Sequence, residues 1–298
     1  MAFTQQNLNY AAEYSRALAQ AYPYLSYFAD IWGNENSQKY KPGLGKTVYI
    51  PSLTTGGARA VNRDQITGTF NRNWNNTLQP VTLDMDREWD TLVDPMDIDE
   101  TNMVATLANI TRAYVEQQKV PEMDAYMASK LYSFAVPDTV NLTTNNILTK
   151  WDGFMEQLTN ARVNKDRVVG YVTPALFNII KGAVGLTRYL DIGANGGEPN
   201  RISREVTRLD GVPLHVVPTD MMKTAYDFSE GWRAAESAKQ INLILVDVDC
   251  IAAPVKYETS MMSEPTAQSK GKYLYYERYY YGAFKLSGRN GIIVNAVA

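Results

Sequence analysis

LDMDREWDTLVDPMDIDETN, residues 83–102, changes its period halfway along. Up to Asp90 it alternates. Leu83, Met85 and Trp89 fall on one face of a strand, and Asp84, Asp86, Glu88 and Asp90 on the other, as in a half-buried strand. Beyond Asp97 the spacing becomes helical. Met103, Leu107, Ile110 and Tyr114 make one stripe, and Val120, Met123, Met127 and Leu131 resume it. Asp97, Asp99 and Glu100 are expected at the positive end of this helix, where a carboxylate contributes ~0.3–1 kcal/mol. Pro121 lacks an amide donor, so a kink or restart is expected there. About thirty residues at ~1.5 Å each give a rod near ~45 Å.

Upstream, "KTVYIP" alternates through Val48 and Ile50, and "PVTLDMDREWD" alternates again from Pro80. Between them lies a long polar stretch without sustained period. The pair reads as an extended hairpin, and a connection this long is either functional or reaches outside its own domain. From Thr47 to Gln118 the basic residues are Arg59, Arg63, Arg72, Arg87 and Arg112, with no lysine. Arginine's planar fork suits carboxylates at an interface. The carboxylates between Asp84 and Glu100 lack the glycine and terminal glutamate of a calcium loop. They read as a solvated or partner-facing stripe, for which a basic partner would relieve like-charge repulsion.

Residues 1–41 look like an arm. An amphipathic piece with Leu8, Ala11, Ala12 and Leu18 is followed by Tyr22, Tyr24, Tyr27, Phe28 and Trp32, aromatics that should lie on their own chain or a neighbour. The opening MAFTQQNLNYAAEYS has neither the basic flank nor the apolar block of a secretory signal. Downstream, "DRVVGYVTPALFNIIKGAV" reads as a strand and a helix. Thr173 is the N-cap, Pro174 takes the first turn, and Leu176, Phe177, Ile180 and Val184 are buried. "RLDGVPLHVVP" is a hairpin turning at Asp210-Gly211, and "INLILVDVD" a buried central strand.

The most unusual run is YLYYERYYYGAF, Tyr273 to Phe284. Read as one strand continuing to Leu286, fourteen residues at ~3.3 Å span about 46 Å, matching the helix. One face carries Leu274, Tyr276, Tyr280, Phe284 and Leu286, with Arg278 as the exception, and is expected to cover the helix. The other carries Tyr273, Tyr275, Glu277, Tyr279, Tyr281 and Lys285, aromatic with polar tips, and is expected to meet another protein.

Composition removes several classes. With 298 residues, 45% apolar and 20% charged, the chain can bury a full core. No apolar run reaches the ~18–20 residues of a membrane span. A net charge of -3 argues against a protein that grips phosphate backbones. Cys250 is the only cysteine and reads as a small buried hydrophobe; His215, the only histidine, reads as a half-buried strand residue rather than a general base. "YLDIGANGGEPN", residues 189–200, resembles the glycine-rich first motif of S-adenosylmethionine-dependent methyltransferases. No buried β-branched strand precedes it, Glu198-Pro199-Asn200 interrupts a following helix, and it reads better as a surface loop.

Arm, two-stranded excursion, long helix on a long sheet, and inserted α/β unit follow in an order that resembles the major capsid protein of tailed bacteriophages, the Hong Kong 97-type fold shared with encapsulins. The resemblance rests on residues 83–102, on "VVGYVTPALFNII" and "RLDGVPLHVVP", and on "YYYGAFKLSGRNGIIVNA". It implies an α+β fold with residues 1–41 as N-terminal arm, 42–94 as extended loop, 95–160 and 246–298 as peripheral domain, and 161–245 as axial domain. It further implies a non-enzymatic subunit forming hexamers and pentamers of an icosahedral head, located in the virion capsid and assembled in the host bacterial cytoplasm. Its partners would be copies of itself, with scaffolding, portal and cement proteins as further candidates, packaged double-stranded DNA as a non-specific neighbour, and no membrane. Some relatives crosslink through a lysine on the extended loop, chemistry that the lysine-free stretch removes. A scaffold, if used, would be a separate protein or a removed segment. No catalytic, cofactor-binding or metal-ligating residue is assigned. An encapsulin-like compartment is the runner-up, and a methyltransferase the enzyme alternative.

Overall fold

The computed structural model describes residues 26–40, 47–58, 72–100, 106–184 and 206–297. The amphipathic piece at Leu8–Leu18, Tyr22, Tyr24, Arg59, Arg63, Met103 and the glycine-rich 189–200 stretch lie outside these residues.

In chain order, the N-terminal segment holds two short helices, α1 (Ala29–Trp32) and α2 (Glu35–Lys39). Strands β1 (Thr47–Thr55) and β2 (Trp74–Thr82) pair antiparallel along their whole length, Thr47 opposite Thr82 and Thr55 opposite Trp74. Next come β3 (Met85–Val93) and α3 (Pro95–Glu100). Helix α4 (Leu107–Tyr114), a π turn (Val115–Lys119) and α5 (Val120–Phe134) then run without a break. After α6 (Ile147–Asn160), β4 (Val168–Val172) leads into α7 (Pro174–Lys181). β5 (Arg208–Leu209) and β6 (Val212–Val216) form the tight hairpin, and β7 (Tyr226–Asp227) pairs with β8 (Arg233–Ala234). The chain ends with β9 (Gln240–Asp247), β10 (Ile251–Ala252), β11 (Val255–Ser263), β12 (Tyr273–Tyr281), β13 (Phe284–Lys285) and β14 (Ile292–Val297).

Local chemistry explains most boundaries. Thr173 is extended, and its hydroxyl accepts from the Leu176 amide (3.4 Å), with Pro174 in the first turn of α7. Asp210 and Gly211 both have positive φ, 51° and 86°, the requirement of a two-residue turn whose twist matches its strands. Two expectations need correction. The long helix does not start at the acidic residues. Thr106 is extended (ψ 146°) and caps α4 through the Asn109 amide, while Asp97 and Asp99 belong to the separate α3. At Pro121 the helix neither stops nor restarts; the turn before it widens, so that the Val120 amide bonds five residues back to Val115. Lys119 leaves this π turn facing the interior.

A five-stranded sheet has the order β14-β9-β4-β6-β5, with β4 and β6 parallel and the other neighbours antiparallel. Its central strands are buried on both faces. Ile244 and Val246 of β9 and Tyr171 of β4 join α5 and Phe28, whereas Leu243, Leu245, Val168 and Val172 pack beneath α6 and α7. This two-sided burial is why "INLILVDVD" is continuously apolar. Cys250 is buried just beyond β9, and burial pushes its thiol up to about 12. Val184, expected in the buried stripe of α7, is 68% exposed because the helix has ended at Lys181. His215 does lie on β6, but its side chain is exposed, with Nε2 3.3 Å from Asp30.

A three-stranded antiparallel sheet, β11-β12-β3, lies on α5. The tyrosine strand is shorter than expected, stopping at Tyr281. Gly282 sits where β3's approach crosses, and a Cβ there would stand 2.9 Å from Leu83 Cδ2 and 3.1 Å from its Cα. Nine residues at ~3.3 Å give roughly 30 Å, not the length of the helix.

Candidate assembly surfaces

The β1–β2 ribbon is two-faced. Directly opposed residues in an antiparallel pair share a face. The register therefore places Tyr49, Pro51 and Leu53 with Pro80, Leu78 and Trp74 on one side. Tyr49 is 63% exposed, Leu53 65%, Trp74 52% and Leu78 61%. On the opposite side only the base is apolar. Val48 and Ile50 are buried against Ala252, Phe284 and Leu286, and beyond them Ser52 and Thr54 pair with Thr77 and Asn75. Near the outer end, the Arg72 guanidinium lies 4.1 Å over the Trp74 ring and donates from Nε to its carbonyl (2.9 Å). Among the described residues no third strand joins this ribbon. An isolated two-stranded ribbon is marginal in water. Fully burying a large apolar side chain contributes ~1.5–3 kcal/mol, and with a little over half of each still exposed four give about 3–8 kcal/mol. Association alone costs an estimated ~4–15 kcal/mol, so one ribbon contact holds a pair only weakly, while several repeated contacts hold a ring.

The three-stranded sheet shows the contrary arrangement, and here the expected faces are reversed. Tyr275, Glu277, Tyr279 and Tyr281 turn inward toward α4 and α5, across from Thr91, Trp89, Arg87 and Met85. Buried carboxylates explain the inversion. Tyr281 Oη donates to Glu122 Oε1 (2.8 Å), and Arg87 grips the same carboxylate, Nε to Oε1 at 2.7 Å and Nη2 to Oε2 at 2.9 Å. Lys119 from the π turn pairs with Glu277, which also accepts from Tyr275 Oη (3.2 Å). The Lys119 ammonium lies 4.4 Å over the Tyr279 ring, whose hydroxyl is 3.3 Å from that of Tyr114, and Tyr114 stacks on Trp89 at 4.1 Å. Burial raises the Glu122 carboxyl above the usual range, with Arg87 and Tyr281 opposing that rise. Burial likewise drives the Tyr279 and Tyr281 phenols well above 10.

The outward face carries Leu274, Tyr276, Arg278 and Tyr280. The acidic stripe of β3, expected to await a basic partner, is largely matched within the chain. Arg278 holds Asp86 with two bonds (3.1 and 2.9 Å), Tyr276 donates to Glu88 (3.2 Å), and Lys130 pairs with Asp84. At the end nearest α3, Leu92, Leu274, Met261 and Met96 remain exposed. Sequence reasoning missed the apolar face of the ribbon, because Asn, Gln and Thr between Trp74 and Pro80 hide its period-two spacing. It also missed Lys119, Glu122 and Glu277, whose charges suggested the surface. Among the described residues, no three potential metal-ligating side chains converge, and no helix is long and apolar enough to cross a membrane.

No protein-family model and no curated protein matches the sequence. Solved structures do. The Mycobacterium phage Che8 structure is 16% identical, with 97% of this chain and 98% of that one covered at a TM-score of 0.64. The mature capsid of bacteriophage PhiM1 is 11% identical, with 99% and 92% covered at 0.63. The capsid of the Cyanophage P-SCSP1u is 9% identical, with 97% and 93% covered at 0.63. The likeness extends from end to end, and the chain has the α+β Hong Kong 97-type capsid fold.

Proposed function

We propose that this chain is a shell subunit, the major capsid protein of a tailed bacteriophage. Copies assemble into hexamers and pentamers of an icosahedral head that encloses double-stranded DNA. In this reading residues 1–41 are the arm, 42–94 the extended loop, 95–160 and 246–298 the peripheral domain, and 161–245 the axial domain. The role is structural, its site is the virion capsid, and its essential partner is a further copy of the chain. The observation that carries the proposal is the β1–β2 ribbon, anchored among the described residues at its base by Val48, Ile50 and Val81 and presenting Tyr49, Leu53, Trp74 and Leu78 to solvent. A subunit that leaves such a face open completes its core against a neighbour. The end-to-end likeness to capsid structures supports the same reading.

Electron microscopy of the purified chain tests it. Capsomer rings, sheets or closed shells are expected on concentration. A monomer that stays single at every concentration overturns the proposal, and particles that form in the host around cargo protein instead of DNA favour the compartment reading.

A further inference from the structure

Residues 26–40 touch α5, both larger sheets and the base of the ribbon. Ser26 Oγ and the Tyr27 amide donate to the buried Asp124 carboxylate of α5 (2.9 and 2.7 Å). Phe28 packs on Tyr171 of β4 (4.4 Å between ring centres), and Trp32 meets Tyr281 of β12 edge-on (5.9 Å). Tyr40 meets Phe284 at the ribbon's base (6.5 Å). Between these anchors, the segment fastens the stretch where the chain passes from the five-stranded to the three-stranded sheet. Asn34 Nδ2 donates to the carbonyls of Val248 (2.5 Å) and Ile251 (3.3 Å). Asn36 Nδ2 donates to that of Asp249 (2.8 Å), and the Ala253 amide donates to Ser37 Oγ (2.9 Å).

That stretch is irregular. Val248–Cys250 is a single 3-10 turn, followed by the two-residue β10. Backbone partners serve part of it: the Val248 carbonyl accepts from the Ile251 amide, that of Cys250 from the Leu286 amide (2.9 Å), and β10 pairs with β13, while the Asp249 carbonyl takes side-chain donors. Short irregular connections between packed elements are also where domains hinge. Here the donors Asn34 and Asn36 and the acceptor Ser37 come from a separate part of the chain, more than two hundred residues away in sequence. Two arginines add to the clamp: Arg167 holds the Asp249 carboxylate with two bonds (3.0 and 2.6 Å), and Arg289 donates to the Asp249 carbonyl (2.5 Å).

We infer that Asn34, Asn36 and Ser37 act as positioning residues, a splint that fixes the angle between the five-stranded sheet and the helix-backed three-stranded sheet. Lifting residues 26–40 loosens the crossover, so that either sheet can shift on α5, the layer they share, without unfolding. The inference stands apart from the shell reading, because it concerns a single dilute chain.

A distance measurement by pulsed electron spin resonance tests it on the full chain. Labels are placed at Glu156→Cys on α6 and Gln268→Cys in the turn between β11 and β12; both sites are exposed, and the buried Cys250 stays unlabelled. The labelled chain should give one narrow distance. Adding Asn34→Ala, Asn36→Ala and Ser37→Ala together should widen the distribution about twofold or more, as a released hinge samples several angles. An unchanged width overturns the inference, and so does a lowered melting temperature with unchanged width, which marks a merely stabilising role. If the triple variant does not fold, Asn36→Ala alone removes one bond from a half-buried side chain. It should give a smaller broadening that is lost when Asn36 is restored, and no broadening there is equally decisive.

Discussion

The ribbon and the tyrosine sheet are both β structure with large aromatic side chains, yet they treat those side chains in opposite ways. In the sheet, Tyr279 and Tyr281 are buried, and their hydroxyls meet Tyr114 and Glu122. In the ribbon, Tyr49 and Trp74 face solvent. What differs is what lies underneath. The sheet rests on a helix whose π turn and first residues supply Lys119 and Glu122 at the right height. Among the described residues, the ribbon passes its last buried apolar support at Ile50 and has none beyond. Aromatic density therefore does not decide exposure in this protein; whether a described layer lies beneath does.

The largest expected effect breaks the sealed side. Glu122→Ala leaves Arg87 and Tyr281 facing an empty site in a buried setting, and removing one partner of such a pair costs ~3–5 kcal/mol. Urea unfolding of the unassembled chain reads this directly. A loss under ~1 kcal/mol would mean that the face is open to water.

Alkali probes the same side more gently. The folded Tyr126, Tyr279 and Tyr281 phenols lie above their unfolded value near 10, mainly through burial. The unfolded chain releases these protons first, so their contribution is intact below pH ~10 and falls as pH rises beyond it, by at most ~1.4 kcal/mol per pH unit for each group. Unfolding midpoints measured from pH 8 to 11 should be flat and then drop, and the tyrosinate absorbance of the folded chain over that range should be the same when Tyr279 and Tyr281 are both replaced by Phe. Folded-state absorbance that falls with those two replacements would contradict the buried assignment.

Tyr281→Phe sharpens the account, since it keeps the ring and deletes the bond to Glu122. About 1–2 kcal/mol should be lost in the same urea assay. The smallest effect on stability belongs to the ribbon. Leu53→Asp with Leu78→Asp changes exposed positions only, so the dilute chain should keep its melting temperature, within ~0.5 kcal/mol. Light scattering should nonetheless show assembly abolished. A melting temperature that falls sharply would place these residues in the subunit's own core.

The two regions also differed in how far the sequence could describe them. Strand β3, the Thr173-Pro174 start of α7 and the Asp210-Gly211 turn were readable because each depends on neighbours a few residues away. The orientation of β12 was not readable. Both of its faces are aromatic, so alternation carried no contrast between inside and outside, and the polar-tipped face looked like the outer one. The same weakness hid Lys119, Glu122 and Glu277. A charge is expected at the surface unless its partner is known, and these partners lie far apart in the chain.

Sequence alone determined the two-stranded excursion, the strand-then-helix order of β4 and α7, the Thr173 cap and the Asp210-Gly211 turn, because period and backbone preference act over a few residues. Tertiary structure decided which tyrosines are sealed, where the long helix widens its turn, and which apolar face is left without cover. Those outcomes depend on whether a distant segment arrives to supply a counter-charge or a packing layer, and no local pattern records its arrival.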